Sequence, residues 1–312
     1  MSSRMNRPRK KRRWPYWVGG IFLFFILLIS GFAFYMWDKL GDTVETMHDP
    51  LERDSDPERQ KELETIFQEN RSLNVLLLGV DSREGDAGRS DTMILLSLNP
   101  QTDSMLMFSI PRDTYVNIPG RGMDKINHAY AFGDVELSVQ TVEETFDLPV
   151  HYYARVNMEG FQQGIDAIGG VTVSNTQAFS QGGSNFAEGE IRLNGSEALD
   201  YIRMRKDDPR GDLGRNERQR EVIQAALRQG ASFSSITKVG EILDILGGNV
   251  KTDLNMNNMQ SIFGSYRGTQ QNTRTLEIEG TGQTINGIWY YVVSDEEFNR
   301  ISTEVKNHME AS

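Results

Sequence analysis

The chain has 312 residues, no cysteine and a net charge of −11. Without cysteine, disulfides and thiol chemistry are both closed to it, so any folded domain must stand on its own core. Seven of the 33 bases fall in residues 1–13, which leaves −18 on the remainder, and so acidic a body disfavours nucleic-acid binding.

The basic run RPRKKRR at 7–13 precedes WPYWVGGIFLFFILLISGFAFYMW at 14–37, which holds no charged residue. A helix of that length crosses a hydrocarbon core of ~30 Å, and the Trp and Tyr residues at both ends suit the membrane interface. The expectation is a cytoplasmic tail at 1–13 and a signal-anchor helix at 14–37, with everything beyond outside the cell: a single-pass type II protein of the cell membrane. A cleaved signal peptide is the alternative; the apolar stretch exceeds a usual h-region, and no small-x-small cleavage site follows it. Residues 38–72 carry eleven acids and five bases with few large apolar side chains. They read as a solvated extracellular stem, with a helix near 58–69 where Leu63, Ile66 and Phe67 fall at helical spacing.

The 240 residues from 73 onward suffice for one large domain. Leu73 to Val80, Met93 to Leu98 and Ser104 to Ile110 read as apolar strands of a sheet covered on both faces. Val135, Val139, Val142 and Phe146 mark an amphipathic helix. Phe161, Ile165 and Ile168 mark another, stopped by Gly169 and Gly170 before a strand at Val171 to Val173. Helices follow at 196–206, 216–229, 235–246 and 256–267, then a strand at Ile288 to Val293. Ser294 and Glu297 form a capping box for a C-terminal helix. Asn194-Gly195 and Gly182-Gly183 mark turns. The fold class is α/β, a mixed central sheet flanked by helices, with the core at 73–232 and the rest of the same extracellular domain at 233–312.

Arginine and aspartate recur together in GVDSR at 79–83, RSDT at 89–92, IPRD at 110–113 and YIRMRKDDPRGDLGRNERQR at 201–220. From Arg203 to Arg220, seven bases stand against four acids, a positive island that needs either carboxylate partners or a bound phosphate. Asp81 follows a buried strand and Asp91 opens the next. Two hard oxygen ligands completed by phosphate oxygens are how Mg²⁺ is commonly held, and Mn²⁺ fits the same oxygens; otherwise each carboxylate caps a turn or pairs with Arg83 or Arg89. Arg112 lies at the same side of the sheet as Asp81 if the strands run parallel. There it is suited to neutralising a pyrophosphate, or is a plain surface residue. Arg215 sits one turn before Gln219 on the inward face of a helix, so it faces either an anion pocket or a structural carboxylate, Asp212 or Asp208. His48, His128, His151 and His308 lack metal spacing, and no Walker loop, GxSxG elbow or dinucleotide fingerprint is present.

Taken in order, LNVLLLGVDSR, RSDTMILLSLNP, MFSIPRDTYV, KINHAYAFG, IDAIGGV, LNGSEALDYIRMRKDD and GDLGRNERQR make the chain, from about Asn74 to Ser232, resemble the LytR-CpsA-Psr family of membrane-anchored cell-wall ligases. Its Gram-positive teichoic acid transferases are the nearest likeness. The resemblance implies a phosphotransferase that moves a glycopolymer from undecaprenyl pyrophosphate to the 6-hydroxyl of N-acetylmuramic acid in peptidoglycan, through a phosphodiester. It implies Mg²⁺ on Asp81 and Asp91, with phosphates gripped by Arg89, Arg112, Arg203, Arg205, Arg215 and Gln219. Arg83, Lys125 and Asp212 also match family motifs, and a lipid tail would lie in an apolar tunnel beside the sheet. Arg112 or the pair Arg203 and Arg205 would stabilise the leaving phosphate, and Asp212, beside the island, is the hypothesised proton acceptor. The same residues suit a pyrophosphatase acting on polyprenyl pyrophosphate, or a non-enzymatic regulator that binds a lipid-linked signal.

Overall fold

The computed structural model describes residues 45–81, 88–205, 208–232, 242 and 245–312. The chain divides into Met1–Asp42 and Thr43–Ser312. The basic tail and the expected membrane span lie outside the described residues, among which no helix is long and apolar enough to cross a membrane.

In chain order the elements are α1 (Pro57–Gln68), β1 (Leu73–Val80), β2 (Ser90–Asn99), β3 (Ser104–Ser109), β4 (Tyr115–Ile118), β5 (Gly122–Lys125), α2 (His128–Phe146), β6 (Tyr152–Asn157), α3 (Met158–Ala167), β7 (Val171–Asn175), β8 (Phe179–Gln181), β9 (Ser184–Phe186), β10 (Gly189–Leu193), α4 (Gly195–Arg203), α5 (Asp212–Ala231), β11 (Val250–Thr252), α6 (Met256–Ser261), β12 (Asn272–Leu276), β13 (Thr281–Ile285), β14 (Ile288–Val292) and α7 (Asp295–Glu310). Six strands form the central sheet in the order β11-β6-β1-β2-β3-β12. The pairs β1/β6 and β3/β12 are parallel, and β1/β2, β2/β3 and β11/β6 are antiparallel. The sheet is therefore mixed, as expected.

Its strands are apolar on both sides because both sides are covered. Leu76, Leu78, Met93, Leu95, Leu106 and Phe108 pack beneath α2 and α7. Val75, Ile94, Leu96, Met105 and Met107 lie with Ile66 of α1 on the opposite face, where Ile223 and Leu227 of α5 are partly buried against them. Each fully buried side chain of this size contributes roughly 1.5–3 kcal/mol. A third cluster joins β7 and β10 to α3, α4 and α5 through Val173, Leu193, Ile165, Ala198, Tyr201 and Val222.

Residues 45–72 correct the expectation of a solvated stem. Met47, Leu51 and Ile66 are buried, Arg53 pairs with Glu143 at 2.8 Å, and Arg53 and Arg59 both donate to the Val150 carbonyl. The acidic composition concealed a few apolar anchors and arginines spent on backbone carbonyls. Asn194-Gly195 is not a turn but the start of α4: Asn194 caps the Glu197 amide, and Glu197 returns a bond to Asn194 N. At Ser294 the cap forms, but the Glu297 carboxylate accepts from Glu279 N and from Arg300, so the reciprocal half of the expected box is missing. The helix expected at 256–267 is α6 followed by a wider turn over Ile262–Tyr266. The one expected at 235–246 falls largely outside the described residues.

Candidate functional site

The antiparallel β2 lies between β1 and β3, so the C-terminal ends of β1 and β3 and the N-terminal end of β2 share one edge of the sheet. The outer strands are thus parallel to each other although not neighbours, and the expected proximity of Asp81, Asp91 and Arg112 is obtained through β2. Arg112 Nη1 donates to Asp91 Oδ1 at 2.9 Å. Its Nε lies 3.6 Å from Asp113 and 3.8 Å from Asp212.

Asp212, the first residue of α5, is the centre of the island. Arg215 Nη2 donates to its Oδ2 at 2.9 Å, and Arg205 Nε lies 3.0 Å from Oδ1. Arg215 and Gln219 are buried side by side on the inward face of α5, as their spacing predicted. Lys125, brought in by the β4/β5 hairpin, bonds Asp113 Oδ1 at 2.7 Å and stands 5.7 Å from the Tyr290 ring centre. Four bases (Arg112, Lys125, Arg205, Arg215) face three carboxylates (Asp91, Asp113, Asp212), and Asp81 follows the neighbouring strand end. The cluster is close to neutral, so an anion and a cation arriving together would leave its balance unchanged.

Burial opposes the charge on Arg112, yet Asp91, Asp212 and Asp113 raise its pKa above the ordinary value. Arg215 is lowered by burial and by the neighbouring Arg112, against the pull of Asp212. Both stay charged, since guanidinium does not deprotonate in proteins. Several buried polar atoms here lack a hydrogen-bond partner, Arg112 Nε, Arg215 Nε, Ser90 Oγ and Ser109 Oγ, and Asp212 Oδ1 has only the Arg205 ion pair. Unmet donors and acceptors of this kind mark a site whose bonding is completed by something else.

Arg89 and Arg203 are exposed, and no ion pair of either is seen among the described residues. Arg83 lies outside them. Asp113 had no part in the expected site, yet it is buried and bonds Lys125 while lying close to Arg112; its place beside Arg112 in IPRD was the available signal. Sequence reasoning also treated the island as one unit. The structure divides it, because Arg218 points away from Asp212 and is locked by Asp208 Oδ2 and the Met204 carbonyl, each at 2.7 Å. Gly214 permits this, since a Cβ there would meet Asp208 Oδ2 at 1.9 Å.

Three of the four histidines have structural work. His151 Nδ1 accepts from Asn74 N, and burial, with nearby arginines, pushes its pKa down to about 3. His308 bridges Ser97 and Ser104, and His128 bonds Asp124. Among the described residues no group of three or more His, Asp or Glu side chains forms an all-protein cation cage. Asp81 and Asp91 stand on adjacent strand ends, with Asp91 Oδ1 accepting from Arg112, and two such carboxylates suit a hard divalent ion that keeps water and takes ligand oxygens.

Comparison with known proteins extends these motifs over the whole chain. The model of the LytR_cpsA_psr family matches residues 34–307. A polyisoprenyl-teichoic acid--peptidoglycan teichoic acid transferase TagU of Oceanobacillus iheyensis is 64% identical over 99% of both chains. The crystal structure of Bacillus subtilis TagU superimposes with a TM-score of 0.64 at 46% identity, covering 78% of this chain and 98% of that one. A structure described as TagT bound to LIIa-WTA does so with a TM-score of 0.67 at 32% identity, covering 77% and 92%. The chain belongs to the LytR_cpsA_psr family.

Proposed function

We propose that this protein is a phosphotransferase that moves an anionic glycopolymer, wall teichoic acid by analogy with its relatives' names, from an undecaprenyl pyrophosphate carrier to the 6-hydroxyl of N-acetylmuramic acid in peptidoglycan. The observation that carries this reading is the meeting of three guanidiniums, Arg112, Arg205 and Arg215, on one carboxylate at the sheet edge that also bears Asp81 and Asp91. Phosphoryl transfer asks chiefly for positioning and charge neutralisation, and this cluster provides both.

In this account Asp212, Asp91 and Asp113 hold the arginines in place until phosphate oxygens take over their donors. Asp81 and Asp91 would hold Mg²⁺, or Mn²⁺ on the same oxygens, and the ion would neutralise and orient the pyrophosphate. Arg112, Arg205 and Arg215 grip the phosphates, with Gln219 beside them and the exposed Arg89 and Arg203 as further phosphate contacts; Arg83 would join them by its family motif. The acceptor oxygen forms a bond to the polymer-linked phosphorus as the bond to the bridging oxygen breaks, and undecaprenyl phosphate departs. The acceptor proton passes to Asp212, whose buried Oδ1 is held by the Arg205 ion pair at 3.0 Å without a hydrogen bond of good geometry. Energy stored in the pyrophosphate makes a nucleotide unnecessary. Leu77, Ile223, Leu227 and Ile262, partly buried between the sheet and the helices over it, offer an apolar lining for the prenyl chain. Residues 14–37 would anchor the domain on the outer side of the membrane, beside such a lipid.

The test incubates the full-length chain in detergent with Mg²⁺, a lipid pyrophosphate-linked disaccharide and uncrosslinked peptidoglycan oligomer, reading products by mass. A metal-dependent phosphodiester conjugate, absent with Asp91→Ala, is the expected result. Free phosphorylated saccharide alone would make the protein a pyrophosphatase, and lipid binding without product would make it a sensor.

A further inference from the structure

The face of α5 turned away from Asp212 borders a second cavity of about 470 Å³, walled by the end of β7, Tyr201 of α4 and the end of β12. That volume lies in the range of ~300–1,000 Å³ usual for small-ligand pockets. β12 runs parallel to β3, with Leu276 opposite Phe108, so Thr275 and Glu277 lie near the sheet edge that carries Arg112. Glu221, at its wall, stands about 14 Å along α5 from Asp212 at ~1.5 Å per residue.

Three arginines line the cavity, and each is already paired: Arg220 with Glu277 at 3.1 Å, Arg218 with Asp208 at 2.7 Å, and Arg210 with Glu217. A phosphate could enter only by breaking such a pair, which costs several kcal/mol where the pair is buried. The charges of the lining balance, Arg210, Arg218 and Arg220 against Glu217, Glu221 and Glu277, and its other side chains are uncharged. The hydroxyls of Ser174, Thr176 and Thr275 and the amide of Gln224 lie along the rim. Glu221 accepts from Ser174 N at 2.5 Å and from the Tyr201 hydroxyl at 3.1 Å. Burial raises the Glu221 pKa, against the two bonds it accepts. Arg218, 7% exposed, keeps a buried Nε with no acceptor. Uncharged donors and acceptors around an open polar cavity suit a hydroxyl- and acetamide-rich sugar.

We infer that this cavity binds the neutral N-acetylhexosamine chain of the acceptor, holding a short oligosaccharide along α5 so that its reacting hydroxyl reaches Asp212. The assignment rests on the transfer reading above. It gives the two faces of α5 different substrates: charged phosphate on the Arg215 face, neutral sugar on the Glu221 face.

Thr176 and Thr275 are exposed, so Thr176→Trp and Thr275→Trp fill the cavity without disturbing the core. With the full-length protein and saturating donor, each should raise the acceptor KM by about 10-fold or more while kcat and donor KM stay within about twofold, 1.4 kcal/mol corresponding to tenfold. Glu221→Gln should raise the acceptor KM in the same direction. An unchanged acceptor KM in both tryptophan variants, or a loss confined to donor binding, would overturn the assignment. Saturation-transfer NMR with tetra-N-acetylchitotetraose separates its failure from that of the transfer reading. Saccharide signals abolished by Thr275→Trp, in a protein that shows no transfer, would leave the site standing and remove the reaction. Transfer with saccharide binding indifferent to both tryptophans would do the reverse.

Discussion

Arg215 and Arg218 lie one turn apart on α5, both buried and both paired with aspartate, yet they are held in opposite ways. Arg218 has two hydrogen bonds of 2.7 Å to fixed partners and lies 5.6 Å from the centre of the Phe179 ring. Arg215 has one bond to an aspartate that two other guanidiniums also approach, and its Nε is unpartnered. The first is a finished structural pair. The second is a provisional one that phosphate oxygens can replace at little net cost, because the carboxylate it leaves keeps other cations. Composition does not distinguish them; the number of fixed partners does.

The largest effect should come from breaking the finished pair. Arg218→Ala leaves buried Asp208 with only the Arg210 amide at 2.7 Å and a guanidinium 4.0 Å away, and a loss of about 3 kcal/mol is expected in denaturant unfolding. An Arg218→Ala protein as stable as the parent would erase the distinction between the two arginines. Arg112→Ala should do the opposite, lowering transfer by about 10²–10³ as for removal of one oxyanion donor, with a much smaller shift in Tm.

Asp253 sharpens the contrast from the far edge of the sheet, where the carboxylate has no ion pair among the described residues. It is buried, accepts one bond from Tyr153 N, and has an unpartnered Oδ2. Burial, reinforced by Asp54, pushes its pKa up to about 7 against the Tyr153 amide. The folded protein therefore binds more protons than the unfolded chain between about pH 4 and 7. Its contribution to stability is full below that window and lost as pH rises through about 7. Asp253→Asn should flatten this part of the stability profile and stabilise the protein above pH 7, read from Tm against pH. The smallest effect belongs to a neutral group with no role in charge exchange: Asn194→Ala removes the α4 cap and should cost about 1 kcal/mol while leaving KM values unchanged.

Much of the sheet was legible because β1, β2 and β3 are long apolar runs, and the α2 and α3 stripes are strongly periodic. The shared edge was legible from residues at or just beyond strand ends, Asp81, Asp91 and Arg112, although the antiparallel β2 that unites them was not. The hairpins were missed for lack of length: β4 and β5 have four residues each. The β13/β14 hairpin did announce itself through Asn286-Gly287, where φ of 52° and 81° are those a tight two-residue turn requires. That dipeptide was overlooked while Asn194-Gly195, a helix cap, was taken for a turn. The division of the arginine island into Arg215 and Arg218 faces was beyond sequence reading, because it depends on how closely Asp208 approaches Gly214.

The most direct test of the exchangeable cluster is Asp212→Asn in the full-length protein, comparing donor affinity with the rate of transfer. Removing the carboxylate frees the arginines while deleting the proton acceptor. Donor binding should hold or tighten, and transfer should fall by about 10²–10⁴, the range for general base catalysis. Full turnover in Asp212→Asn would contradict the account.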